Sequence, residues 1–192
     1  MKKLILLSTF ILLSVVGLNA QNDFRKMNWG DSSNDLLEKY ENISFTKEAE
    51  GDLIAYSHND NIGGIDATVL YTFKNNKLFA AGYIFSSRSL KDSKERLKDF
   101  YSISQRLNNK YDMERDDQWF DNKAWKDLPD YLDHALYMGD VQLVERGEFN
   151  ETLIMHTLWR SHSSLTSSLT HSVYYYSEEL MDSFQEEIDD DF

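Results

Sequence analysis

Alternating apolar and polar residues predict the central part of a β-sheet. Residues 66–73 carry one apolar strand face, formed by Ala67, Val69, Tyr71 and Phe73, with the period of a half-buried strand. Residues 78–85 are apolar on both faces, which is typical of a central strand. Between them, Lys74-Asn75-Asn76-Lys77 predicts a tight turn, because asparagine tolerates the positive φ that such turns require. We therefore expect a hairpin over residues 66–86.

Apolar residues that recur at every third or fourth position predict the helices. Ser32 followed by Asp35 is a capping-box pattern and starts a short helix. The longest predicted helix covers residues 90–109, and a shorter one runs from Pro129 to Met138, since proline is tolerated at a first helical position. Further strands are predicted at residues 43–47, 53–58, 141–146, 152–160 and 169–177.

These elements predict an α+β fold in which an antiparallel sheet packs against helices in two layers. We expect a single globular domain over residues 21–177, because the chain has one proline and abundant aromatic residues. The elements come in the order helix, strands, helix and then helix, strands. A division of this domain into two similar halves, residues 24–111 and 128–177, therefore stays an alternative.

The first twenty residues have the layout of a secretory signal peptide. Two lysines are followed by an apolar run and a small residue at Ala20, which is the order of the n-region, h-region and cleavage site. The run is short for a bilayer span, so no membrane anchor is expected after cleavage. We expect an exported protein, periplasmic or secreted. The chain has no cysteine, which excludes a lipoprotein anchor and disulfides.

The net charge narrows the range of partners. With 33 acidic and 20 basic residues, the formal net charge is −13, which disfavours nucleic acid and anionic lipid as partners. Residues 178–192 contain eight acidic residues and no basic one. Leu180, Phe184 and Ile188 recur there at every fourth position. This segment is either an amphipathic helix docked on the body or an acidic tail offered to a partner.

No motif in the sequence predicts a catalytic or metal site. The five histidines lack the spacings of a helical zinc site. His156 and His171 lie on strands expected to pair, so a cluster with His162 stays open as an alternative. The many carboxylates mark no glycosidase pair, and no Gly-x-Ser-x-Gly elbow occurs. We therefore expect no enzyme activity, no cofactor and no metal.

Three aromatic residues stand in the otherwise polar and irregular segment 112–127. Trp119, Phe120 and Trp125 either close one end of the core or form a platform for a sugar or a peptide. Together with the apolar stripe of the C-terminal segment, they are the residues we predict for a binding surface.

Three stretches carry a resemblance to other proteins. They are residues 24–32 (Phe-Arg-Lys-Met-Asn-Trp-Gly-Asp-Ser), 53–56 (Leu-Ile-Ala-Tyr) and 71–78 (Tyr-Thr-Phe-Lys-Asn-Asn-Lys-Leu). They resemble small exported bacterial domains of uncharacterised function, in which a Trp-Gly turn starts a helix that packs on an antiparallel sheet. Their topology is similar to two-layer α/β modules of the β-lactamase-inhibitor-protein type and to small outer-membrane assembly lipoproteins. The resemblance implies this fold type and a tendency to bind proteins, and it implies no catalytic site.

We therefore expect a non-enzymatic protein-binding or assembly module of the cell envelope. Its partner would be another envelope protein, contacted through the sheet face or the acidic tail. Two alternatives stay open, namely a small-ligand or carbohydrate-binding protein that uses Trp119 and Trp125, and a hydrolase built on a carboxylate pair. The sequence predicts no oligomeric state.

Overall fold

The structure is a computed structural model and describes residues 23–88, 92–120, 125–162 and 167–189. The side chains of residues 87, 88, 162, 167 and 184–189 are not described. The predicted signal peptide, residues 1–20, lies outside the described residues, and so do residues 190–192 of the acidic segment.

The described chain forms four α-helices and nine strands. The helices are α1 (Ser33–Lys39), α2 (Ser93–Asn108), α3 (Leu132–Met138) and α4 (Glu178–Asp189). The strands are β1 (Thr46–Glu50), β2 (Leu53–Ile62), β3 (Ile65–Lys74), β4 (Lys77–Arg88), β5 (Glu114–Arg115), β6 (Gln118–Trp119), β7 (Val141–Phe149), β8 (Thr152–His162) and β9 (Ser167–Ser177). A 3₁₀ turn, Pro129–Tyr131, precedes α3.

All nine strands belong to an antiparallel sheet, so the fold is mixed α and β with more sheet than helix. The strand order is β1-β2-β3-β4-β9-β8-β7-β5, and β6 also pairs with β7. Strands β1 to β4 form one meander, and β7 to β9 form another. Pairing of β4 with β9 joins the two meanders into one continuous sheet.

The predicted hairpin is confirmed as β3 and β4. Asn75 and Asn76 occupy its turn with φ of 51° and 60°, the left-handed values that a two-residue hairpin turn requires. Strand β4 lies between β3 and β9, which explains why residues 78–85 are apolar on both faces.

The predicted capping box at the start of α1 is also confirmed. The backbone N–H of Asp35 donates to Ser32 Oγ at 3.3 Å. In return, the backbone N–H of Ser32 donates to Asp35 Oδ2 at 2.7 Å. These bonds satisfy two of the N–H groups that a helix start leaves unpaired. They position the following turn of α1, in which Leu36 is fully buried.

Two buried clusters form the core. The first cluster joins α1 and the segment before it to strands β2 to β4, β8 and β9. Its members include Met27, Leu36, Tyr71, Phe73, Ile154 and Val173. The second joins α2 and α3 to strands β7 to β9 through Phe100, Ala135, Leu136, Leu143, Leu158 and Leu169. Strands β3, β8 and β9 contribute alternate positions to these clusters, as expected from a period of two. Strand β1, by contrast, is exposed along its whole length.

Strand β2 is longer than predicted. Residues 58–61 read as a turn in the sequence, but β2 continues to Ile62. Polar partners hold this part of β2 extended. Asp60 accepts from Arg25 Nη2 at 2.6 Å, and Asn61 Nδ2 donates to Asp66 Oδ1 on β3 at 2.8 Å. The turn itself falls on Gly63 and Gly64, which have positive φ.

The structure also shifts other predicted boundaries. Strand β1 begins at Thr46 rather than residue 43, α2 begins at Ser93, and the segment from Pro129 starts as a 3₁₀ turn before α3. Segment 112–127, predicted to be irregular, contains the two-residue strands β5 and β6.

Replacement of Ser32 by alanine tests the contribution of the capping box. We expect the free energy of unfolding to fall by about 1 kcal/mol, because the Asp35 N–H loses its acceptor at the helix start. Urea unfolding followed by circular dichroism measures the change. Ser102→Ala at an exposed position of α2 is the control and should leave stability within about 0.5 kcal/mol. An equal loss in both variants would show that the capping box contributes nothing specific.

Candidate functional site

Two histidines considered as a pair in the sequence do meet in the structure. His156 on β8 and His171 on β9 bring their Nε2 atoms to 2.8 Å of each other. Both side chains are fully buried. The side chain of His162, the third member of the open cluster, is not described. Within the described residues, no group of three or more histidine, aspartate or glutamate side chains is placed to hold a metal ion.

A carboxylate and a hydroxyl extend this pair into a hydrogen-bonded chain, which we call the buried relay: Ser104, Glu145, His156 and His171. Glu145 on β7 lies beside His156 in the sheet register. Its Oε2 lies 2.8 Å from His156 Nδ1. Its Oε1 accepts from Ser104 Oγ on α2 at 2.6 Å. The relay thus crosses from α2 through three adjacent strands.

Burial sets the protonation states of the relay. Burial lowers the pKa of His156, against the raising effect of Glu145. Burial, with His156 and the nearby Arg96, lowers the pKa of His171 to about 2. Burial alone would raise the pKa of Glu145, but hydrogen bonds from His156 and Ser104 outweigh it and hold this pKa below its ordinary value. Both histidines are therefore neutral and Glu145 is ionised at neutral pH.

These states fix the direction of each hydrogen bond. A carboxylate only accepts, so His156 Nδ1 carries the proton and donates to Glu145. His156 Nε2 then accepts from the protonated Nε2 of His171. His171 Nδ1 is left as an acceptor, and within the described structure this buried atom has no hydrogen-bond partner.

Aromatic rings cover the two histidines of the relay. The ring of Phe100 stacks on His156 with centroids 4.0 Å apart and an interplanar angle of 14°. Phe85 covers His171 at 4.4 Å. Glu145 is 3% exposed, and the guanidinium of Arg115 lies over the Phe100 ring, 5.7 Å from its centre.

This geometry does not form a nucleophilic triad. In such a triad the serine hydroxyl donates to the histidine, and the carboxylate orients the histidine from its other nitrogen. Here the Ser104 hydroxyl donates to the carboxylate of Glu145 instead. The relay can hold a proton and fix the relative positions of α2, β7, β8 and β9, and its carboxylate and both imidazoles are buried.

The aromatic residues predicted as a binding surface divide between the core and solvent. Trp119 on β6 and Trp125 are half-buried and pack against the second cluster. Trp125 also donates from Nε1 to Asp140 Oδ2 at 3.1 Å and stacks on Tyr131. Phe120 is 48% exposed.

The apolar stripe of the acidic segment lies on α4. Leu180 is half-buried, and its backbone N–H donates to Ser177 Oγ at 3.3 Å, so Ser177 supports the start of the helix. The backbone of Phe184 and Ile188 is helical, while their side chains lie outside the described part of the structure. The acidic residues of the first turn, Glu178 and Glu179, are exposed.

A second set of apolar residues lies on the sheet, at the alternate positions that the two clusters do not use. We call this surface the second face. Leu70, Gly82, Tyr174 and Met155 follow one another across four strands in register. Leu153 and Tyr176 form the next row, and Ile84 and Trp159 border them. Apart from Gly82, which is buried, and Trp159, which is 38% exposed, these residues are half-buried.

Gly82 shapes the centre of the second face. A β-carbon at residue 82 would lie 2.4 Å from the carbonyl oxygen of Val173 and 2.8 Å from Tyr174 Cδ1. Glycine thus lets the Tyr174 ring lie flat against β4. Tyr174 and Tyr176 stack with centroids 5.8 Å apart. Burial raises the pKa of Tyr176 to about 12, so its hydroxyl stays protonated at neutral pH.

Comparison of the chain with protein-family models, with characterised proteins and with solved structures found no match. The resemblance to small exported bacterial domains therefore stays a prediction. Among the described residues, none of the helices has the length and apolar character needed to cross a membrane.

The buried relay predicts that stability falls in acid. The folded chain keeps both histidines neutral, whereas the unfolded chain binds protons on them below a pKa of about 6.5. The free energy of unfolding should therefore fall as the pH drops from about 7 to about 5, by up to about 1.4 kcal/mol per pH unit for each histidine. The lowered pKa of Glu145 adds a loss of the same sign below about pH 4.5.

Urea unfolding of wild type and His171→Gln at the two pH values measures this slope. The variant should lose about half of the pH dependence, whatever its stability at pH 7. His134→Gln is the control, because His134 is exposed on α3 and lies outside the buried relay. An identical slope in wild type and His171→Gln would contradict the protonation states assigned to the relay.

Proposed function

We propose that this protein is a non-enzymatic binding module that contacts another protein of the cell envelope through the second face. In this proposal the fold has two layers, with α1, α2 and α3 against one side of the sheet. The observation that carries the proposal is that six apolar residues of the second face belong to neither buried cluster: Leu70, Ile84, Leu153, Met155, Tyr174 and Tyr176. A contiguous apolar surface of this kind marks an interaction site.

The composition of the second face supports a protein partner. Tyrosine, tryptophan and methionine are the residues enriched at protein interfaces. Tyr174 and Tyr176 are already restrained by their mutual stacking, so they lose little conformational entropy on binding. Residues of the second face form a row across four strands, an extended surface that suits a protein partner.

Charge favours a basic partner. The chain has a formal net charge of −13, and the first turns of α4 expose Glu178, Glu179 and Asp182. The backbone N–H of Glu178 donates to the Glu151 carbonyl at 3.0 Å. The acidic helix thus starts beside Leu153 and Tyr176 at the edge of the second face. A basic rim on the partner would be attracted to this edge.

The buried relay supports a role without catalysis. Phe85 covers the imidazole of His171 and Phe100 covers that of His156, and Glu145 is buried. Location in the envelope rests on the signal-like pattern of residues 1–20.

Site-specific photo-crosslinking in the native envelope extract tests the proposal. A benzophenone amino acid at Met155 or Trp159 places the probe on the second face. We expect both positions to crosslink the same basic protein, with a yield that falls as salt is raised, because the attraction is electrostatic at the rim. Replacing Glu178, Glu179 and Asp182 by their amides should lower the yield severalfold.

The matched controls carry the probe at Tyr101 on α2 and at Tyr137 on α3, which are 43% and 41% exposed. We expect no discrete product from these positions. Equal products from all four positions, or a yield that salt does not change, would contradict a specific contact through the second face.

A further inference from the structure

A cleft of about 220 Å³ opens between α2 and the sheet. Its floor is the pairing of β4 with β9, where Tyr83 and Phe85 lie beside Val173 and Tyr175. Its wall is the C-terminal half of α2. The cleft lies on the side of the sheet that carries the buried clusters, so it is separate from the second face.

The interior of the cleft is apolar and aromatic. Ile103 and Leu107 on α2 face the floor and are 5% and 7% exposed. The Tyr111 ring meets the Tyr175 ring edge-on at 6.3 Å. A ligand in this cleft would therefore bury an alkyl or aryl group, because the apolar walls offer water few hydrogen bonds.

Two cations stand on the rim. Arg106 lies in the last turn of α2, and Lys110 follows two residues after this helix ends at Asn108. Both side chains line the cleft. Arg106 reaches across to the turn between β2 and β3, where its Nη2 donates to the Gly63 carbonyl at 3.3 Å. Lys110 lies 4.8 Å from the centre of the Tyr111 ring.

These two cations have no ion pair among the described residues, although acidic residues outnumber basic ones in the chain by 33 to 20. Other cations nearby are paired. Arg25 contacts Asp60 at 2.6 Å, and Lys98, on the same helix, contacts Glu95 at 2.8 Å. The positive charge at the rim is thus available to an anion.

Two phenol groups, those of Tyr83 and Tyr175, also line the cleft. Burial raises the pKa of Tyr83, against the lowering effect of Arg25, and burial also raises the pKa of Tyr175. Both hydroxyls remain protonated at neutral pH and keep a proton to donate. The site therefore combines an apolar slot with two cations at its rim.

We propose that this cleft binds a small carboxylate with an apolar body. The alkyl or aryl group would lie on Phe85 and Val173, and the carboxylate would lie between Arg106 and Lys110. The volume of the cleft is below the range of drug-sized pockets. A ligand of the size of octanoate or 3-phenylpropionate therefore suits it. This site would act independently of the second face.

Isothermal titration of the mature chain, residues 21–192, with octanoate and with 3-phenylpropionate tests the proposal. We expect saturable one-to-one binding of at least one of the two acids, and which one binds more tightly tells whether the slot takes an alkyl or an aryl body. The neutral analogue octanol should bind at least about tenfold more weakly than octanoate, because it lacks the charge-assisted hydrogen bonds. The absence of saturable binding of either acid up to about 10 mM would overturn the proposal.

Variants localise the carboxylate. Arg106→Gln and Lys110→Gln change exposed side chains and should each weaken binding about tenfold, the effect expected for one charge-assisted hydrogen bond. Lys98→Gln on the same helix and Tyr176→Ala on the second face are the matched controls and should leave affinity unchanged. Equal affinity of the Arg106→Gln, Lys110→Gln double variant and wild type would overturn the proposal, even if the acids bind.

Discussion

The pairing of β4 with β9 is the contact on which the other features of this molecule depend. It joins two meanders that are separated by the whole of α2, α3 and the segment between them. On one side it places Tyr83 beside Val173, and on the other it places Gly82 beside Tyr174. The floor of the cleft and the centre of the second face are therefore opposite sides of the same strand pair. A change that separates these strands would alter both surfaces together.

Ionisable groups inside the sheet–helix core are held by hydrogen bonds rather than by water. Burying a carboxylate without partners is costly, and Glu145 meets this cost through two short hydrogen bonds from different elements. The arrangement works with neutral histidines, because an additional proton on either ring would place positive charge in an apolar region near Arg96. Such a network fixes the relative position of its strands more specifically than an apolar contact would.

Much of the secondary structure could be predicted from the sequence, because local patterns determine it. The Asn75-Asn76 turn and the Ser32 capping box are short-range features, and both were confirmed. Strand β2 was predicted too short because Asn59, Asp60 and Asn61 favour turns locally. Their partners, Arg25 and Asp66, come from other segments, which a local pattern does not reveal.

The candidate sites were harder to predict, since they depend on register. Glu145 follows Leu143 at a buried alternate position of β7, and His156 and His171 occupy equivalent positions on β8 and β9. In the sequence, each of them is a charged or polar residue at a strand position whose alternation predicts burial. Only the strand register shows that the three side chains meet. Tyr174 and Tyr176 alternate with Val173 and Tyr175 along the sequence. Nothing in the sequence distinguishes Arg106 and Lys110 from the other cationic residues.

Oxidative footprinting of methionine in the native envelope would test most directly whether the second face is covered by a partner. Met155 lies on that face, Met138 is 49% exposed at the end of α3, and Met27 is fully buried. In the purified protein, Met155 and Met138 should both be oxidised and Met27 should not. In the envelope, we predict protection of Met155 while Met138 stays reactive. If Met155 reacted in the envelope as fast as it does in the purified protein, the second face would be free there, and the proposed function would be wrong.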